Sequence, residues 1–254
     1  PDAGQHFLVN REVLAAIVAA AELTPEDTVL EVGPGVGTLT VELAQRAARV
    51  VAVELDPRLA AVAKNMLLPY PNVEIIIGNF LTLPPDAYHL PPATYKLVAN
   101  LPYGITGRFF RRVLGGAVRP PLMVVMVQAE VADRLTATPG QMSKLAVLCL
   151  LHADVRTVAR VPRQSFWPMP AVDSAVVRLD ALSPAAWTGR PGNGDITPEA
   201  VLRAAKIGFA ARRKTLANNL RSLPALRSFS TNGSGPIAEA FSACGLPLNA
   251  RAQE

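Results

Sequence analysis

Thiols are nearly absent from this chain. Cys149 and Cys244 are its only cysteines, at unrelated spacing, so no disulfide framework or thiolate zinc site is expected to hold the fold. Histidine is as scarce: His6, His89 and His152 are scattered and form no metal-ligand cluster with those cysteines. No metal is therefore expected. Hydrophobic residues make up 50% of the sequence, yet no run approaches the roughly 18–20 apolar residues of a membrane span. The opening PDAGQHFLVN carries no signal-peptide pattern. Together these absences point to a reduced, cytoplasmic protein with no membrane partner.

Length and charge add two positive statements. At 254 residues the chain can bury a sizeable core without staples, as one large domain or one domain plus a smaller one. Its net charge of +5 is unevenly placed. Residues 1–180 carry 16 Lys+Arg against 16 Asp+Glu, whereas residues 181–254 carry 9 against 4, so the whole excess lies in the C-terminal part. Ordinary surface solubility explains such an excess; so does a face turned toward a polyanion.

The first half alternates strand-like and helix-like stretches. VLEVG (29–33), VVAVEL (50–55), VEIIIG (73–78), YKLVAN (95–100) and LMVVMVQ (122–128) are short, rich in Val and Ile, and bounded by Gly, Pro, Asn or Asp. They read as buried parallel strands, with helices expected at Val13–Glu22, Leu39–Arg46 and Arg58–Leu67 between them. This predicts an open α/β sheet, whose ligands sit at the carboxyl ends of the strands. SPAAWTGRPGNGDITP (183–198) reads as a linker or long loop. Beyond it, residues 197–223 read as one helix, capped by Thr197 with Pro198 at its first position. A shorter helix around Ile237–Cys244 ends at Gly245 and Pro247. The expected organisation is a catalytic domain over 1–182, the linker, and a small basic helical domain over 199–254.

EVGPGVG (31–37) lies between the first strand and a helix. Gly33 and Gly35 allow a sharp turn and a close backbone approach to a ligand, although glycine turns also occur for structural reasons alone. The spacing is tighter than the G-x-G-x-x-G of dinucleotide sites. Glu54 ends the second strand, 21 residues past Gly33, where an acid is either a solvated strand end or can accept two hydrogen bonds from a ribose diol. This combination favours S-adenosylmethionine over NAD. At the end of the third strand, Asn79 and Phe80 are either a turn asparagine and a core ring, or an acceptor and an apolar contact for an adenine.

NLPYG (100–104) ends the fourth strand beside that proposed methyl donor. The exocyclic amine of adenine is a poor nucleophile because its lone pair is delocalised into the ring. Acceptors placed around its hydrogens make the nitrogen more tetrahedral and aim the lone pair at a methyl group. The Asn100 side-chain oxygen is one acceptor. The Leu101 carbonyl, set by Pro102, is a second. Tyr103 can stack on the base. No strong base or metal is required.

EVGPGVG, VVAVELD and NLPYG together resemble the rRNA adenine N6-dimethyltransferases. GQHFL (4–8), QAEVADRL (128–135), VPRQSFWPMPAVDSAVVRL (161–179), FAARRKTLANNL (209–220) and CGLPLNARAQE (244–254) extend the resemblance in order along the chain, which stops short of the family's last helix. The most similar branch is the bacterial small-subunit (16S) one, whose loss gives kasugamycin resistance. The resemblance implies a Rossmann-like methyltransferase sheet with a small helical C-terminal domain, working as a monomer. It implies dimethylation of two adjacent adenines in the 3′-terminal hairpin of 16S rRNA within an immature 30S subunit. Carried over by motif, the S-adenosylmethionine contacts are His6, Leu8, Gly33, Glu54, Asn79 and Asn100. Phe166 takes the place of an aromatic that can stack on the target base opposite Tyr103; without the resemblance it reads as a core ring after a strand. One departure is Asn79, where the family usually has an aspartate.

On a helical wheel of residues 199–221, Arg203, Lys206, Arg213, Lys214 and Arg221 fall in one stripe, with Leu202, Phe209, Leu216 and Leu220 beside it. The basic stripe is expected to meet RNA phosphates. Arg108, Arg111 and Arg112, just past the fourth strand, are expected to hold neighbours of the unstacked target base. Two other readings stay open: a large-subunit (23S) rRNA methylase conferring antibiotic resistance, and a non-catalytic RNA- or DNA-binding factor on the same fold.

Overall fold

The computed structural model describes residues 5–90, 94–116, 119–138, 140–183, 196–211, 213–221 and 236–253. The chain divides into two compact units, Pro1–Thr136 with His152–Leu182, and Ala137–Leu151 with Ser183–Glu254. Against the expectation of an unbroken catalytic domain over 1–182, residues 137–151 group with the C-terminal unit. The N–H groups of Gly140 and Met142 donate to the Gln253 carbonyl at 2.7 and 3.4 Å, a pairing across more than a hundred residues that no local pattern announces. Residues 184–195 of the expected linker lie outside the described residues.

In the first unit, a two-residue strand β1 (Phe7–Leu8) precedes helix α1 (Arg11–Ala21). Asn10 caps α1 by accepting from the N–H groups of Glu12 and Val13. Val13, Leu14, Ile17, Val18 and Ala21 fall on one face and are buried, as a 3.6-residue period requires. Then come β2 (Thr28–Val32), α2 (Thr38–Ala44), β3 (Arg49–Glu54), α3 (Pro57–Met66), β4 (Val73–Ile77), β5 (Tyr95–Asn100), α4 (Thr106–Leu114), β6 (Leu122–Gln128) and α5 (Ala129–Leu135). The five expected strands and the three expected helices are all present, within two residues at their ends.

These strands form one seven-stranded sheet in the order β4-β3-β2-β5-β6-β9-β7, where β7 is Ala153–Val161 and β9 is Ser174–Ala181. The pairs among β2 to β6 are parallel. β9 enters antiparallel between β6 and β7. The central strands are covered on both faces: Val29, Val50, Val51, Leu97, Val98, Val124 and Val125 have no exposed surface, which explains their near-continuous apolar runs. A short ribbon pairs β1 with β8 (Phe166–Trp167). The chain order reverses between β2 and β5, and the carboxyl ends of these strands form the crevice expected at such a switch point.

In the second unit, the helix expected over 197–223 is two helices, α7 (Pro198–Gly208) and α8 (Leu216–Leu220), after α6 (Lys144–His152). Thr215 starts α8 by accepting from Asn218 N–H. The Asn219 amide reaches back to the carbonyls of Gly208 and Ala211, satisfying orphan groups at the end of α7. The expected basic stripe is therefore not continuous along one helix. Arg203, Lys206, Arg213 and Lys214 are exposed, while the Arg221 guanidinium bonds the Asn218 side chain. Helix α9 (Pro236–Ala243) packs Ile237 and Phe241 on Ala217. Among the described residues, no helix is long and apolar enough to cross a membrane.

Candidate functional site

A cavity of about 590 Å³ opens at the carboxyl ends of β2, β3, β4 and β5. His6, Leu8, Gly33, Gly35, Glu54, Asn79, Phe80, Asn100, Leu101, Pro102, Tyr103, Arg108 and Phe166 all line it. Every cofactor and catalytic residue expected from the sequence is thus brought to one wall-to-wall site, although the chain carries them more than 150 positions apart.

The glycine turn leads from β2 to α2. Gly33 and Gly35 sit at φ 74° and 61°, a region that side-chain-bearing residues avoid. Gly33 N–H donates to Val53 O at 2.9 Å, and Gly35 N–H donates to Glu54 Oε2 at 3.0 Å. Glu54 Oε1 accepts from Asp56 N–H at 2.9 Å. Two backbone donors therefore orient the buried Glu54 carboxylate, and each oxygen keeps a lone pair for a ligand. A Cβ on Gly33 would lie 3.6 Å from Pro102 Cδ, so the glycine turn and the NLPYG stretch are close neighbours. A Cβ on Gly35 would lie 3.2 Å from the Phe7 ring, which closes the cavity on the β1 side.

At the third strand end, Asn79 makes a side-chain turn: its Oδ1 accepts from Leu81 N–H at 3.0 Å. Its one committed lone pair leaves another for a ligand. Phe80 is buried, with Tyr88 stacked on it at 5.7 Å between ring centroids.

At the fourth, the Asn100 amide nitrogen donates to His6 O at 3.5 Å, which leaves Oδ1 as the outward acceptor. Leu101 N–H donates to Met126 O at 3.2 Å and ties this stretch to β6. The Tyr103 hydroxyl is 2.7 Å from Ser174 Oγ. Burial raises the Tyr103 pKa, with the Ser174 bond opposing it, so the phenol stays protonated at neutral pH. The His6 ring stacks against Tyr103 at 5.8 Å between centroids, and His6 Nδ1 bonds Pro168 O at 2.7 Å. Phe166 is buried opposite Leu8 in the β1–β8 ribbon and belongs to the main core; it meets the cavity as part of that core.

The three arginines of α4 separate. Arg108 is exposed and lines the cavity, and Arg111 is exposed one turn on. Arg112 turns away from both: its guanidinium bonds the carbonyls of Leu81 and Leu83 and the Tyr88 hydroxyl, and lies 5.4 Å from the centre of the Phe80 ring. That commitment corrects the expectation that Arg112 holds RNA.

Glu31 was not singled out by sequence. It is buried on the cavity wall beside the Thr40 hydroxyl, and its Oε2 makes no well-formed hydrogen bond. Burial pushes its pKa up to about 8, the nearby Thr40 hydroxyl opposing the rise and the Glu54 charge adding to it. The signal was available: an acid inside an otherwise apolar strand, directly before the glycine turn.

The sequence profile described as ribosomal RNA adenine dimethylase matches residues 1–227. The chain belongs to the ribosomal RNA adenine dimethylase family. Among relatives of this dimethylase, the ribosomal RNA small subunit methyltransferase A of Pelotomaculum thermopropionicum is 44% identical over 250 residues, covering 94% of this chain and 79% of that one. A dimethyladenosine transferase from Plasmodium falciparum superposes with a TM-score of 0.76 at 25% identity, covering 97% of this chain and 92% of that one. The 23S rRNA methyltransferase ErmE does so with 0.71 at 30% identity, covering 97% and 93%. The dimethylase is thus an RNA methyltransferase enzyme on a Rossmann-like methyltransferase fold, a family that implies use of S-adenosylmethionine.

Proposed function

We propose that this dimethylase binds S-adenosylmethionine in the 590 Å³ cavity and methylates N6 of two adjacent adenines in the 3′-terminal hairpin of 16S rRNA. Its substrate is an immature 30S subunit, and it works as a cytoplasmic monomer. The observation that carries this reading is the juxtaposition of Gly33, Gly35 and Glu54 with Asn100–Tyr103 around one cavity. The name of the Pelotomaculum relative supports the small subunit as the target.

The residues present fit the cofactor. Gly33 and Gly35 hold backbone where a Cβ would be strained, and the Glu54 carboxylate keeps lone pairs for a diol. Glu31 offers a buried oxygen with no well-formed hydrogen bond, suited to a cationic group. Bound there, S-adenosylmethionine supplies an electrophilic methyl on a sulfonium. The remaining work is positional. Asn100 Oδ1 and the Leu101 carbonyl accept the amino hydrogens of adenine, and the fixed φ of Pro102 sets the direction of that carbonyl. These contacts strengthen as the nitrogen becomes tetrahedral, so they favour the transition state. Tyr103 offers the base a platform, Phe166 gives the cavity an apolar wall from the core, and Arg108 and Arg111 hold the neighbours of the base. Because alignment rather than deprotonation activates the amine, no general base has to act first.

Labelled S-adenosylmethionine incubated with unmethylated 30S and 50S particles tests the reading. Label in 30S, mapping to two adjacent adenines, is expected. The likeness to ErmE makes 50S the competing substrate, and label only there rejects the proposal. Label in neither supports the binding-factor reading. Asn100→Ala should lower turnover by at least about a hundredfold with a smaller loss of cofactor affinity; substantial residual turnover sinks the role given to Asn100.

A further inference from the structure

The Arg112 side chain reaches from α4 to a different part of the cavity wall. Its guanidinium donates to the carbonyl oxygens of Leu81 and Leu83 and to the Tyr88 hydroxyl at 3.3 Å. Tyr88 in turn donates toward Phe80 O or Leu83 O, at 3.2 and 3.4 Å. One phenol proton serves one carbonyl at a time, so the arginine supplies the donors that the segment otherwise lacks. The same guanidinium lies over the Phe80 ring, 5.4 Å from its centre, while Tyr88 and Phe109 pack on that ring at 5.7 Å. Segment 78–83 also folds onto itself: a Cβ on Gly78 would meet the Leu83 side chain at 2.7 Å. Gly78, Asn79 and Phe80 are the cavity wall after β4. The helix that carries Arg112, α4, begins two residues after NLPYG.

We propose that Arg112 is a positioning residue for the cofactor, holding Asn79 and Phe80 in the shape that receives the adenine half of S-adenosylmethionine, and that α4 thereby couples the acceptor stretch to the cofactor wall. The proposal rests on the reading of this cavity as the cofactor site. A planar fork that bonds two carbonyls and a hydroxyl while covering an aromatic face is specific to arginine; lysine keeps the charge and loses the fork and the stacking.

The test measures S-adenosylmethionine affinity by calorimetry, RNA affinity at several salt concentrations, and steady-state constants, for Arg112→Lys, Tyr88→Phe and Phe80→Ala. For Arg112→Lys the expected result is about tenfold weaker cofactor binding, a matching rise in the cofactor KM, kcat near the parent value at saturating cofactor, and unchanged RNA affinity and salt slope. Tyr88→Phe keeps every ring and the arginine; it should weaken cofactor binding about threefold and stands in if Arg112→Lys fails to fold. Unchanged cofactor affinity in Arg112→Lys overturns the proposal. So does weaker RNA binding with a shallower salt slope and intact cofactor binding, which would make Arg112 a phosphate contact. Phe80→Ala separates the two levels. If it weakens cofactor binding and the Arg112 and Tyr88 variants do not, the positioning role fails while the site reading stands. If Phe80→Ala also leaves affinity unchanged, the site reading itself fails.

Discussion

The Tyr103 hydroxyl meets Ser174 Oγ at 2.7 Å, and Ser174 is a fixed post. It is fully buried, opens β9, and pairs with Gln128 of β6 on one side and Val161 of β7 on the other. A base platform needs a ring held at one angle, and this bond supplies the hold that a lone tyrosine on a turn lacks. Ser174→Ala leaves the half-buried phenol without that partner, which costs about 1 kcal/mol of stability. It should raise the KM for RNA about three- to tenfold while leaving cofactor affinity unchanged, and Ser174→Thr should restore part of the loss. Equal losses in cofactor and RNA binding would show that the bond only supports the sheet.

Asn79→Asp should tighten S-adenosylmethionine binding. The aspartate keeps an oxygen for the Leu81 N–H that Asn79 now accepts at 3.0 Å, and adds charge to the acceptor left for an adenine amine. Charge-assisted hydrogen bonds are roughly twice as strong as neutral ones, so a gain of about three- to tenfold is expected in calorimetry. Equal or tighter binding by the unsubstituted protein refutes the assignment of Asn79 to the adenine.

The sheet was legible because its information is local. VVAVEL and LMVVMVQ are apolar on both faces, and only a strand covered on both sides tolerates that. The cavity was legible for a related reason: Gly33, Glu54, Asn79 and Asn100 each end or follow a strand, and parallel order alone gathers such ends. What escaped depends on distant partners. β9 lies between β6 and β7, a placement set by pairing and not by periodicity. Arg112 looked like its exposed neighbours Arg108 and Arg111 until the carbonyls of Leu81 and Leu83 gave it partners some thirty residues away. In the tail, helix-forming FAARRK hid the break that Thr215 and Asn219 impose, since a cap is recognisable only once the chain has turned to use it.

Glu31 gives a pH signature. Burial lifts its pKa from 4.5 to about 8, so the folded chain holds a proton that the unfolded chain has shed between those two values. Stability of the ligand-free protein therefore falls as pH rises through that window, at no more than about 1.4 kcal/mol per pH unit. Glu31→Gln removes the loss. The variant should melt higher than the parent near pH 8 and alike near pH 4.5, followed by circular dichroism. A cationic ligand favours the ionised carboxylate, so cofactor binding near pH 6.5 should release protons from the parent and fewer from Glu31→Gln. A melting difference that is the same at both pH values would place the effect elsewhere than in Glu31 titration.

The basic C-terminal unit should act on RNA through charge and not through sequence. Arg203, Lys206, Arg213 and Lys214 are exposed, whereas the Arg221 guanidinium is engaged by Asn218. Each phosphate contact contributes a slope of about 0.7–0.9 to the dependence of log affinity on log salt. The double substitution Lys206→Ala, Lys214→Ala should therefore lower that slope by about 1.4–1.8, weaken binding to matched and mismatched hairpins alike, and leave cofactor affinity as it was. Arg221→Ala should change the slope less, because its guanidinium is engaged by the Asn218 side chain. An unchanged slope in the double variant, measured by filter binding across a salt series, would make these residues a solvated face and move the RNA contact to the rim of the cavity at Arg108 and Arg111.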